Sequence, residues 1–83
     1  MKLTVRYFAS IREALGASES VEVAEGSTVG AVRDALIARD AVHAAALARG
    51  RALRSALNQV LCDETARVAD GAELAFFPPV TGG

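Results

Sequence analysis

The residues with most chemical promise are the last eight, Phe76-Phe77-Pro78-Pro79-Val80-Thr81-Gly82-Gly83. At average glycine usage, two glycines in the two final places arise by chance roughly 0.5% of the time, which is rare enough to ask what they could do. Without a Cβ, Gly82 and Gly83 can pass through a narrow channel and be approached from either side. Pro78 and Pro79 would stiffen the base of such a tail and hold it off the body. A terminal carboxylate is inert as it stands. Once adenylated it becomes a mixed anhydride open to a sulfur or amine nucleophile. Taken alone, the glycine pair also reads as a frayed end, and Phe-Phe-Pro-Pro as a core strand followed by a breaker.

The rest of the inventory argues against catalysis by this chain. His43 is the one histidine, so no Ser-His-Asp or Cys-His constellation can assemble within it. In its alanine-rich surroundings His43 reads as a surface or partly packed residue. Cys62 is the one cysteine and lies in the apolar run Val60-Leu61-Cys62, where a free thiol packs as a small hydrophobe. A nucleophilic or persulfide-carrying Cys62 is the sharper and less favoured reading. Cys-x-x-Cys and His-Glu-x-x-His spacings are absent, so no metal site is expected. Gly26 and Gly30 flank Thr28 at a helix start without forming a Gly-x-Gly-x-x-Gly or Walker loop, which is weak ground for phosphate binding.

A body must position that terminus, and 83 residues allow one small domain. The net charge of -1 opposes a basic nucleic-acid footprint and a polybasic membrane anchor. Of the residues making up the 52% hydrophobic content, 18 are alanine, so the core is modest. No apolar run approaches the ~18 residues of a membrane span, and the alternating start is no signal peptide. A cytoplasmic protein is expected, without a disulfide to support it.

Leu3, Val5 and Tyr7 alternate with Lys2, Thr4 and Arg6, the period of a half-buried strand. Ser10-Ile-Arg-Glu13 predicts a capping box opening a short helix that Gly16 ends. Ser20 to Val23 predicts a second strand. Thr28 is an N-cap for a longer helix with an apolar stripe of Val29, Val32, Leu36 and Ile37, and with Arg33, Asp34 and Arg39 outward. Asp40 to Ala48 predicts further helix stopped by Gly50. Leu53, Ser55 and Leu57 then share a strand face, Asp70-Gly71 marks a turn, and Leu74 and Phe76 share a face of a last strand that Pro78 ends. Strands at both ends with helix between them imply an α+β two-layer domain over residues 1–83, with an extended tail at 78–83.

Phe8-Ala9-Ser10-Ile11-Arg12-Glu13, Ala56-Leu57-Asn58-Gln59 and the stretch from Asp70 to Gly83 closely resemble the small, sulfur-carrier subunits of molybdopterin synthase. The resemblance spans essentially the whole chain, and its specific part is the ending Phe-Pro-Pro-Val-x-Gly-Gly. It implies a ubiquitin-like β-grasp fold with the first and last strands adjacent and parallel. It also implies that an E1-like activating enzyme uses ATP to adenylate Gly83, which a persulfide donor then converts to a thiocarboxylate. The tail would enter the large subunit of molybdopterin synthase, in a heterotetramer of two small and two large subunits, and donate sulfur to cyclic pyranopterin monophosphate. Gly83 would carry the sulfur, and Gly82, Thr81, Val80, Pro79 and Pro78 would thread. Phe77 is the first docking candidate, with Phe8 and Leu61 extending the patch or serving as ordinary core. The chain itself would bind no cofactor.

Two other readings stay open. One is a sulfur carrier for another pathway, such as thiamine thiazole synthesis. The other is a ubiquitin-like interaction module or protein modifier.

Overall fold

Leu3, Val5 and Tyr7 point into the core from the first strand, as their alternation requires. The computed structural model describes residues 1–79, in the order β1 (Lys2–Tyr7), α1 (Ala9–Leu15), β2 (Ser18–Glu22), α2 (Val29–Ile37), α3 (Ala41–Ala46), β3 (Arg54–Leu57), β4 (Val60–Cys62) and β5 (Glu73–Phe77). The strands form one sheet ordered β2-β1-β5-β3-β4. The two terminal strands, β1 and β5, are its neighbouring parallel pair, and β1–β2, β3–β5 and β3–β4 are antiparallel. This is the mixed β-grasp sheet that the resemblance implied.

The core forms between the sheet and the helices. Leu3, Val5, Tyr7, Leu74 and Phe76 from the strands pack with Ile11 of α1, Val29, Val32 and Leu36 of α2, and Leu47. Removing each such side chain from water stabilises the fold by roughly 1.5–3 kcal/mol. Thr28 caps α2 as expected, its Oγ1 accepting from the Ala31 N–H at 3.1 Å. The Asn58-Gln59 turn between β3 and β4 has φ of 48° and 70°, the left-handed pair of a two-residue hairpin. Gly71, at φ 80°, makes the turn into β5, and the Lys2 N–H donates to Asp70 Oδ1 at 2.8 Å beside it.

Four local expectations are corrected. First, α1 starts at Ala9 with Phe8 as its N-cap residue, so Ser10 lies inside the helix and makes no capping box. The Phe8 carbonyl already accepts from the Arg12 N–H, and the Ser10 hydroxyl meets the Arg51 guanidinium instead. Gly16, at φ 90°, does end that helix.

Second, β2 starts at Ser18, because Glu19 occupies an inward position where the polar residue hid the alternation. Glu19 is accommodated there by the Tyr7 hydroxyl, which donates to its carboxylate at 2.8 Å.

Third, Arg33 does not face outward; it is 3% exposed. Its guanidinium donates to the carbonyls of Leu47 and Ala48, at 2.8 and 2.7 Å, and to that of Arg51 at 3.2 Å. It also pairs with Glu64 at 2.7 Å.

Fourth, α3 ends at Ala46, before Gly50 is reached. Arg33 satisfies the carbonyls beyond that end, so no left-handed glycine is required there.

Candidate functional site

The geometry converges on the exit of β5. As the central strand, β5 is held on both sides: Tyr7 pairs with Phe76 and Arg54 with Phe77 in the last registers. Pro78 has no N–H to extend either ladder, so the chain must leave the sheet there. Leu74 and Phe76 point inward, whereas Phe77 points to the other face and is half-buried.

Phe8 meets Phe77 across this exit. Their ring centroids are 6.5 Å apart with planes at 88°, an edge-to-face pair. Phe8 is 36% exposed, and the Arg6 guanidinium lies 5.4 Å from its ring centroid. Arg6 also pairs with Glu73 at 3.8 Å. Phe8, Ala9, Phe77, Pro78 and Pro79 line an open cleft of about 460 Å³ whose walls are all apolar residues.

Leu61 is on the same sheet face but in a neighbouring hollow. Arg6, Ala75, Ala56 and Leu61 stand side by side across β1, β5, β3 and β4. At 64% exposed, Leu61 is not core. It borders a hollow of about 710 Å³ together with Arg54, Ser55, Cys62 and Pro79. Pro79 lines both depressions, so the base of the tail lies between the aromatic pair and Leu61. The remaining tail residues of the sequence reading, Val80, Thr81, Gly82 and Gly83, lie outside the described residues.

This arrangement gives the exit of β5 an apolar surface built from both ends of the described chain. Cys62 is half-buried and packed against the core, with its Sγ 3.7 Å from Ser55 Oγ. His43 is engaged far from the exit: Nε2 is 2.7 Å from Glu19 Oε2 and Nδ1 is 2.8 Å from Asp40 Oδ1. Burial disfavours the charged ring, but these two carboxylates outweigh it and raise the His43 pKa. Burial pulls Glu19 upward, yet hydrogen bonds from His43, Tyr7 and Arg39 bring it below the usual carboxylate range. Burial, then the hydrogen bond to Glu19, drives the Tyr7 phenol far above its ordinary value.

The start of α2 is not an anion site either. The Val29 N–H donates to the Ala66 carbonyl and the Gly30 N–H to the Glu64 carbonyl, both at 2.9 Å. Among the described residues, no group of three or more His, Cys, Asp or Glu could hold a metal ion, and no helix is long and apolar enough to cross a membrane.

The sequence reading missed Arg6 and Ala9 as parts of this surface. Arg6 and Phe8 are two apart in one extended run and therefore share a face, a signal that was available. Ala9 gave none, because its part depends on a left-handed φ of 52° that nothing in an alanine announces.

Comparison with known proteins agrees with this geometry. The family model described as the ThiS family matches residues 5–83. The molybdopterin synthase sulfur carrier subunit of Escherichia coli (strain K12) is 41% identical over 81 residues, covering 98% of this chain and 99% of that protein. The protein of that name from Haemophilus influenzae gives the same identity and coverage. Among solved structures, the Haloferax volcanii small archaeal modifier protein 1 matches with a TM-score of 0.77 at 28% identity, over 95% of this chain and 98% of that one. A chain from the complex of subunits 1 and 2 of the Helicobacter pylori molybdopterin-converting factor matches with a TM-score of 0.68 at 26% identity, over 100% of both. On this likeness along its length, the chain belongs to the ThiS family, among the relatives of the molybdopterin synthase sulfur carrier subunits.

Proposed function

We propose that this protein is the sulfur-carrying subunit of a molybdopterin synthase, not catalytic alone, and that Gly83 is the carrier. The observations that support this most are the 41% identity to a molybdopterin synthase sulfur carrier subunit over 81 residues and the ThiS family match, which runs to Gly83 itself. In the cycle we infer, the Gly83 carboxylate attacks the α-phosphate of ATP on an E1-like activating enzyme, and pyrophosphate leaves. The outer sulfur of a persulfide donor then attacks the carbonyl carbon and displaces AMP, giving an acyl disulfide. A thiol of the activating machinery cleaves its S–S bond, forming a new disulfide with the donor and leaving a thiocarboxylate on Gly83. ATP is therefore used by the activating enzyme, and this chain binds no cofactor of its own. The cycle's need for ATP is met in the cytoplasm, where we take the chain to work.

The tail next enters the large subunit, where the thiocarboxylate sulfur attacks cyclic pyranopterin monophosphate. Water then cleaves the resulting thioester, leaving the sulfur on the pterin and returning Gly83 to a carboxylate. Val80 and Thr81 supply extended backbone for a partner channel, and Gly82 keeps the approach to Gly83 unobstructed. Phe77 and Phe8 anchor the body on either partner through the apolar cleft, with Leu61 widening the contact, so the two partners exclude each other. Two small and two large subunits make up the assembly.

The test is intact-mass analysis after incubation with the activating enzyme, ATP and a sulfur source. We expect a gain equal to the exchange of one oxygen for sulfur, lost again on incubation with the large subunit and the pterin precursor. The likeness to a small archaeal modifier protein favours a second reading, conjugation to other proteins. The same experiment decides between them: isopeptide attachment to lysines in place of the sulfur exchange would overturn the carrier reading.

A further inference from the structure

The joint between β1 and α1 is strained where it need not be. Ala9 has φ 52°, a left-handed backbone that glycine adopts freely and alanine only at a cost. Phe8, just before it, has extended φ and ψ of -133° and 159°, and its side chain makes no hydrogen bond that caps the helix. The strain is thus not relieved by a local cap. Ala9 is exposed, so its methyl does not fill the core. What it borders is the apolar cleft, together with Phe8, Phe77, Pro78 and Pro79.

Strain kept at a surface position, where a glycine would remove it, calls for a use at that position. Phe8 leaves the sheet at this joint. Tyr7 before it is fixed by burial, and Ile11 after it is fixed in the core beneath α1. The backbone of residues 8 and 9 is therefore the hinge that sets the direction of the Phe8 Cα–Cβ bond, from which the ring hangs. A β-carbon at residue 9 narrows that hinge to few conformations, and a glycine would widen it. Free rotation there would let the ring leave Phe77, and a partner would have to bear the entropy of restoring the pair.

We propose that Ala9 is a positioning residue for partner docking: its strained backbone and its methyl hold the Phe8 ring against Phe77, so the cleft is formed before a partner arrives. The inference rests on the docking role given to that cleft above.

The decisive comparison is of Ala9→Gly, Ala9→Ser and Phe77→Ala, titrated calorimetrically against the molybdopterin synthase large subunit, with thermal unfolding of each free variant. Ala9→Gly is expected to unfold at the same or a higher temperature, because strain is released, yet to bind about four- to tenfold more weakly. That range follows from a lost methyl contact and a freed backbone. Ala9→Ser retains the β-carbon and should bind within about twofold of the parent. A residue that served stability alone would move melting temperature and affinity in the same direction, and that outcome overturns the proposal. So does an unchanged dissociation constant for Ala9→Gly alongside a weakened Phe77→Ala, or an Ala9→Ser loss as large as that of glycine. If Phe77→Ala itself binds normally, the docking reading fails, and the role of Ala9 fails with it.

Discussion

The rings of Phe8 and Phe77 meet edge to face at 6.5 Å although they come from opposite ends of the chain. Parallel pairing of β1 with β5 brings them together, since Tyr7 and Phe76 are register partners one residue earlier. The point where the tail leaves the sheet thus has an apolar landmark at its base.

Replacing Phe77 with alanine should weaken binding to the large subunit by about 2 kcal/mol or more, as truncation of a central aromatic anchor does. Folding should survive, because Phe77 is half-buried and the core is carried by Phe76, at 1% exposure. Phe76→Ala should do the reverse and cost about 3–5 kcal/mol of stability. Calorimetric titration and urea unfolding of both variants check the pair.

Gly83→Val, or one residue appended after Gly83, should abolish sulfur transfer and leave the melting temperature where it was. A reconstituted assay for dithiolene formation reads the first and a thermal scan the second. Sulfur transfer at the normal rate by Gly83→Val would end the threading argument.

The His43 cluster predicts a pH-dependent contribution to stability. The folded state raises the His43 pKa above its ordinary 6.5, so the stabilisation from the charged ring is complete below that value and is lost as pH rises through the folded one. Glu19 and Asp40 are lowered from 4.5 and 3.8, so their share is present above those values and is lost as pH falls through the folded ones. The cluster is strongest between the two ranges. The stability difference between the parent protein and His43→Gln should therefore be larger at about pH 6 than at about pH 9 in urea denaturation. An equal difference at both would show that the ring acts only by packing.

Arg33→Ala should cost about 3–5 kcal/mol, because it leaves Glu64 without one of its partners and strips donors from the Leu47 and Ala48 carbonyls in a buried place. Arg33→Lys should recover only part of this, since a single ammonium cannot reproduce the planar fork. Chemical denaturation of the two variants tests both statements.

Much of this architecture is written in short stretches of sequence. Leu3, Val5 and Tyr7 define a strand and its buried face by alternation, Thr28 starts a helix through its own hydroxyl, and Pro78 ends the last strand by lacking a donor. Each depends on groups within a few residues along the chain, where covalent geometry dictates the outcome. The ending Phe-Pro-Pro-Val-Thr-Gly-Gly is likewise legible in the sequence by its composition, and the carrier role proposed for it is read from there.

The tertiary structure alone decided the rest. Arg33 reads as an outward residue beside Asp34, and only the return of the 47–51 segment over α2 gives its guanidinium carbonyls to satisfy. Glu19 hides a strand position until Tyr7 and His43 arrive to hold its carboxylate. Ser10 has the spacing of a cap, but the fixed path out of β1 places the cap two residues earlier, at Phe8. The contact of Phe8 with Phe77, the strain at Ala9 and the place of Leu61 one hollow away follow from strand order. The physical reason is common to all of them: a polar or aromatic side chain takes its role from whichever groups the fold brings within reach, and those groups are distant in sequence.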